Sequence, residues 1–307
     1  MRTDLPIHYY NPELTLDWLV NNCPLQDWYT RLLEIDHSVI RCPDAETVIA
    51  VSLFDRSLND HTGQSKNENW NQKYYSSLLR NIEDLDKLNS NVCVDIFVDP
   101  QLSDRVTSDI ESDRVNFHFM RHSSIGATGM FWRFLLSDII GQRKCSSTMV
   151  IDIDLKWTDH FDLLKSNYPC TPVFYSRGED ALVVCPTTRS EKYTSVCGGL
   201  HTYPLDVIGF SMREAIARYW FYVNNLLHLE PQNEFNRPMV HHQCGFGNTW
   251  NFYGNDERFL CKFLYYVLKR KRALNLVMQR VGVENPLPAE KADMEFTRSQ
   301  GCKVIGV

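Results

Sequence analysis

The chain has 307 residues, 43% of them hydrophobic and 23% charged, with a formal net charge of −6. That length suits one large α/β domain or two small ones, and the acidic balance argues against a general nucleic-acid binder, which carries a basic surplus. Ten cysteines are scattered without any Cys-x-x-Cys pair, which excludes the usual structural zinc patterns.

In chain order, residues 1–46 are mixed and rich in proline, with one helix expected from Leu14 to Leu33, interrupted at Pro24. This part is read as an N-terminal helical extension. Thr47 to Phe54 is an apolar run of the kind that forms a buried parallel strand. The polar stretch from Asp55 to Asn71 reads as a long loop or lid, and Asn71 to Leu88 as a helix with Tyr74, Leu78, Ile82 and Leu85 on one stripe. Cys93–Val98 is the second strand, about Leu102 to Ile110 a short helix, and Val115–Met120 the third strand. Gly126 to Ile140 reads as a helix with Phe131, Phe134, Leu135 and Ile139 on one face. The run Ser147-Thr-Met-Val-Ile-Asp-Ile-Asp154 is a strand that ends in two acids. Further on, Pro172–Arg177 and Ala181–Val184 look like paired strands about a turn at Gly178–Asp180. Val207–Leu227 is a strong helix, Asn233–Tyr253 is irregular, and Asp256 to about Arg272 is helical with Phe259, Leu260, Phe263, Leu264 and Val267 buried. The tail from 284 is polar and contains proline.

Strands alternating with helices predict a doubly wound sheet whose ligand lies beyond the carboxyl ends of the strands. Asp55, His122, Asp152 and Asp154 all follow a strand and so share that edge; Ser52 and Phe54, at the end of the first strand, are taken as ligand-binding positions on the same grounds. Alternate residues of a strand face one way, so Asp152 and Asp154 are expected on one side. Two such charges are tolerated together when a cation neutralises them, and two carboxylates suit Mn²⁺ or Mg²⁺ completed by phosphate and water. Asp-x-Asp alone is a weak motif, since acids at strand ends also form turns.

The order of a Phe131-Trp-Arg-Phe134 helix and then an Asp152-Ile-Asp154 strand end resembles metal-dependent glycosyltransferases of the GT-A fold. Tyr253-Gly-Asn-Asp-Glu-Arg-Phe-Leu260 is similar to the Gly-x-Asp-Gln/Glu-x-x-Leu element of several such families. By order of elements the resemblance spans about two thirds of the chain. It implies a single domain with a Rossmann-like, mixed, mostly parallel sheet flanked by helices, in which residues 47–154 bind a nucleotide sugar and 155–283 the acceptor. It further implies a UDP-sugar donor and a glycan or protein hydroxyl as acceptor. Asp152 and Asp154 would hold the cation, with His242 or its neighbour His241 as a third ligand; a polar loop histidine is the other reading. Arg133 would donate to a phosphate or to the acid pair, or else lie solvated on its helix. Gly199, in Gly198-Gly-Leu-His201, would let backbone approach the donor, although a simple turn explains it too. Asp256 would act as general base on the acceptor, or else cap its helix, with Glu257 as the alternative acid. Trp132, Trp157 and Trp250 are stacking candidates that also read as core.

Two other readings compete. A sugar-nucleotide nucleotidyltransferase shares the sheet and the acidic site but needs a Gly-rich basic loop after the first strand, which Phe54-Asp-Arg-Ser-Leu-Asn59 lacks. A catalytically silent glycan- or nucleotide-binding module is the other. Cys93 and Cys185, inside apolar runs, read as buried free thiols, and with no apolar leader or membrane-length run the expected setting is cytoplasmic. Lys269–Arg272 allows peripheral lipid contact or simply favours a helix C-terminus.

Overall fold

The computed structural model describes residues 14–54, 69–88, 91–143, 145–166, 171–175, 199–202, 208–226, 255–264, 267 and 276–280. Two short helices, α1 (Leu16–Asn22) and α2 (Asp27–Arg31), come first. They flank Pro24, where the expected helix was read as interrupted, because proline cannot continue the first one. Thr15 caps α1 by accepting from the Trp18 amide at 2.9 Å. The strands β1 (Ile35–Val39), β2 (Thr47–Leu53), β3 (Val92–Val98), β4 (Val115–Met120), β5 (Ser147–Ile151) and β7 (Leu200–Thr202) form one sheet in the order β1-β4-β3-β2-β5-β7. β4, β3, β2 and β5 run parallel, and the edge strands β1 and β7 are antiparallel. The mixed, mostly parallel sheet of the sequence reading is thus present. Its edge strand β1 was not foreseen. It lies in the segment read as a helical extension, and it ties that segment into the main sheet.

Helices cover both faces. β2 alternates strictly: Ile49, Val51 and Leu53 point into one apolar cluster, Val48 and Ala50 into the other. The first cluster is closed by α3 (Asn69–Glu83), α4 (Ser103–Asp109) and α6 (Trp157–Ser166) through Leu78, Val106, Trp157 and Phe161. The second is closed by α1, α2, the segment 128–142, α7 (Met212–Asn225) and α8 (Asn255–Phe259). The five apolar residues expected on the last helix are all buried there, although Leu260–Leu264 is a π-helical turn rather than α-helix. The segment read as one helix from Gly126 is a 3-10 helix over Thr128–Leu135, followed by a single α-helical turn, α5 (Leu136–Ile139). Phe131, Trp132, Arg133, Phe134 and Leu135 of the 3-10 helix are all buried, so it is not an amphipathic surface helix. Asp138 on α5 accepts the amides of Met212 at 2.7 Å and Arg213 at 2.8 Å, which docks the start of α7. A second, two-stranded sheet pairs β6 (Thr171–Tyr175) in parallel with β8 (Leu276–Arg280), a strand the sequence did not suggest. The expected lid, the Ala181–Val184 strand, the irregular 233–253 stretch, Lys269–Arg272 and the tail lie outside the described residues.

A sealed polar cluster sits on the second face of β3. Buried Asp95 accepts from Asn116 Nδ2 at 2.9 Å, lies 2.9 Å from His118 Nε2, and pairs with Arg143. Burial alone would raise the Asp95 pKa; the hydrogen bond and charge of His118, the charge of Arg143 and the Asn116 bond bring it below the usual carboxylate range. Beside it, Cys93 forms a disulfide with Cys42. This corrects the reading of Cys93 as a free thiol, because Asn116 draws the two cysteines together by accepting the Arg41 and Cys42 amides on one side while its Nδ2 approaches Cys93 Sγ. Such a bond persists in oxidising surroundings, so the thiols lend the cytoplasmic expectation no support. Cys23 and Cys145 are free, and burial pushes the Cys23 thiol up to about 12. No described helix is long and apolar enough to cross a membrane.

Candidate functional site

In the parallel part of the sheet, the chain runs from β2 outward to β3 and β4, then returns to place β5 on the other side of β2. The connections leave β2 and β5 in opposite directions, and the crevice between their carboxyl ends is where ligands of such sheets bind. A cavity of about 120 Å³ opens there, lined by Val51 to Phe54, Tyr74, Met130, Arg133 and Ile151 to Asp154. Of the expected site residues, Ser52, Phe54, Arg133, Asp152 and Asp154 meet at this one place. His122 does not: it is exposed at the end of β4, away from the β2/β5 crevice. Asp55, His241 and His242 lie outside the described residues.

The acids are not on a strand. β5 ends at Ile151, and Asp152 to Asp154 form a turn closed by the Leu155 amide donating to the Asp152 carbonyl at 3.2 Å. What aims both acids at the cavity is therefore the turn rather than strand alternation. Asn81 of α3 pins it from below, donating through Nδ2 to the carbonyls of Ile153 at 3.0 Å and Leu155 at 2.8 Å. The indole of Trp157 donates to the Asp152 carbonyl at 3.1 Å, so this tryptophan is a core residue with a positioning bond. Trp132 is likewise core, its indole donating to the Leu32 carbonyl. Asn81 was overlooked in the sequence, but there was a signal: a polar residue three positions after Leu78 and one before Ile82, on the apolar stripe of α3.

Gly199 lies against Asp152. Its carbonyl accepts the Asp152 amide at 2.6 Å, and a Cβ built on Gly199 would fall 1.7 Å from Asp152 Oδ2. Only glycine fits there. Gly199 thus holds the acid in place. Gly129 does the same for Phe54, whose ring carbon would lie 2.4 Å from an added Cβ. Ser52 also has a positioning role: its Oγ accepts the Arg133 amide at 2.9 Å and fixes the 3-10 helix on β2.

Arg133 is the centre of the site. It is buried, one Nη donating to Asp152 Oδ1 at 2.5 Å and the other to Asp256 Oδ2 at 2.7 Å. Burial would lower its pKa; the charges and hydrogen bonds of Asp152 and Asp256 outweigh that and raise it, so the guanidinium stays charged. The solvated alternative for Arg133 is thereby replaced by a buried fork. The Asp256 carboxylate is fully buried, whereas the Asp152 side chain is 40% exposed toward the cavity. Asp256 faces the guanidinium from the side opposite Asp152. On the cavity's outer side Lys73 Nζ lies 3.3 Å from Asp154 Oδ2.

The donor set fits a divalent cation in part. Among the described residues no group of three or more His, Cys, Asp or Glu gathers to enclose a metal. Two carboxylates beside an open cavity are nonetheless what Mg²⁺ or Mn²⁺ uses when substrate phosphate and water supply the other oxygens. Comparison of the chain with known protein families, curated proteins and solved structures returns no match.

Proposed function

We propose that the chain is a metal-dependent glycosyltransferase that moves a sugar from a nucleotide-diphosphate sugar, UDP-linked for preference, to a hydroxyl of a glycan or protein. The observation that supports this best is the meeting of Asp152, Asp154 and a charged, buried Arg133 in one cavity at the β2/β5 crevice. In this reading residues 47–154 serve the donor and 155–283 the acceptor. Asp152 and Asp154 would hold Mn²⁺ or Mg²⁺, which when bound offsets charge on the departing diphosphate. Arg133 holds Asp152 in register and presents positive charge to the phosphates. Asp256 holds Arg133 from behind, which suits its burial better than acceptor deprotonation does. Phe54 and Tyr74 offer ring surface to a planar base. The described walls enclose about 120 Å³, room for one moiety of the donor rather than all of it.

A thermal-shift screen of nucleotide sugars with and without Mn²⁺ tests the reading. A donor at a hundred times its dissociation constant stabilises the fold by about 2.7 kcal/mol. The expected result is stabilisation by one nucleotide sugar that needs the metal, followed by sugar release from that donor. No stabilisation by any nucleotide sugar would end the proposal, and stabilisation without any turnover would favour a silent binding module.

A further inference from the structure

Asp152 and Asp154 each carry a basic partner, but the two pairs differ in kind. Arg133 is buried and shared with buried Asp256, so drawing it away would strand charges out of water. Lys73 is 61% exposed and reaches Asp154, itself a quarter exposed, from the solvent side of α3. An exposed pair of this sort contributes little and rearranges readily, and a lysine ammonium is a point charge on a flexible stem. Its Nζ also lies 5.4 Å from the ring centre of Tyr74, a residue that lines the cavity. The ammonium therefore needs only side-chain rotation to turn from Asp154 to an anion in the cavity.

We infer that Lys73 is an exchangeable counter-ion of the site: it neutralises Asp154 in the free protein and moves to a phosphate oxygen when a diphosphate enters, leaving Asp154 open to a divalent cation. The inference rests on the glycosyltransferase reading and adds to it a binding residue that the sequence did not suggest. It makes cation and diphosphate cooperative, because each favours the state in which Lys73 has left Asp154. Such coupling is reciprocal: whatever factor the diphosphate adds to cation affinity, the cation adds to diphosphate affinity.

The test is isothermal titration of MnCl2 and of UDP, each alone and each with the other saturating, for wild type, Lys73→Gln and Lys73→Arg. Lys73→Gln should bind Mn²⁺ alone about threefold to fivefold more tightly and UDP alone about threefold to fivefold more weakly, the weight of one exposed charge pair. The mutual enhancement of the two ligands should shrink by a similar factor, and Lys73→Arg should restore it. If wild type binds both ligands and Lys73→Gln matches it, the exchange is overturned while the glycosyltransferase reading stands. Tighter Mn²⁺ with unchanged UDP also overturns it, since the lysine would then only shield Asp154. Wild-type protein that binds no UDP under any metal condition overturns both.

Discussion

Two arginines ten residues apart in sequence, Arg133 buried and Arg143 partly buried, sit in contrasting surroundings. Arg143 pairs with Asp95 inside a closed network in which His118, Asn116 and the Cys42–Cys93 bridge occupy the neighbouring positions. Arg133 pairs with buried Asp256 on one side, but on the other with Asp152, which faces a cavity. A closed network satisfies its own charges and ties strands together. An open one leaves a carboxylate that a ligand can claim. The contrast separates a polar cluster that serves the fold from one that suits a site, although both rest on an arginine and an aspartate out of water.

Substitutions can break that contrast. The largest effect is expected for Asp152→Asn and Asp154→Asn, which should each slow sugar transfer by about a thousandfold, the several kcal/mol that a metal-held phosphate supplies. Their melting temperatures should stay near wild type, and retention of full transfer in EDTA by either variant would remove the metal from the proposal. Next comes the bridge in the closed cluster. Cys42 and Cys93 are 51 residues apart, and closing a loop of that length stabilises by about 4 kcal/mol in the chain-entropy account. Cys93→Ser, or reductant added to wild type, should lower the denaturation midpoint accordingly; coincident unfolding curves would show that the link contributes nothing.

Asp95→Asn should cost about 3 kcal/mol by leaving Arg143 without its counter-charge, while transfer per folded molecule is unchanged. Because the Asp95 pKa is depressed in the folded state, its contribution is complete above the unfolded value near 3.9 and is lost as pH falls from there through the folded value. The acid limb of the wild-type stability curve below about pH 4 should therefore be shallower in Asp95→Asn, and parallel limbs would place the acid sensitivity elsewhere. The smallest effect is expected for Asp256→Asn, which keeps an oxygen for Arg133 but removes its charge. Transfer should slow by about tenfold through weaker donor binding, with an unaltered pH profile. A loss of a hundredfold or more in the rate of bound donor, with the basic-side response to pH abolished, would instead restore Asp256 as the general base.

The parallel strands β2 and β3 were legible as short, largely apolar runs, β4 by its alternating Val115, Phe117 and Phe119, and the acid pair because it follows such a run. The edge strand Ile35–Val39 was not, since Ile-Asp-His-Ser-Val is half polar and gains its place only by pairing with β4. The same limit held at the site. Helical periodicity set Arg133 off the apolar stripe and near the acids, but its burial depends on a 3-10 helix buried over most of its length, which no local pattern distinguishes from an amphipathic α-helix.

Composition and local pattern, then, determined the fold class, the parallel core strands and the presence of two acids beyond one strand end, because these follow from the spacing of neighbouring residues. Only the tertiary structure decided that Asp256, 123 residues away, holds Arg133, that Gly199 leaves room for Asp152, that Cys42 meets Cys93 and that Lys73 reaches Asp154. Those are contacts between distant segments, and their partners are chosen by how helices and strands pack rather than by anything either segment carries alone.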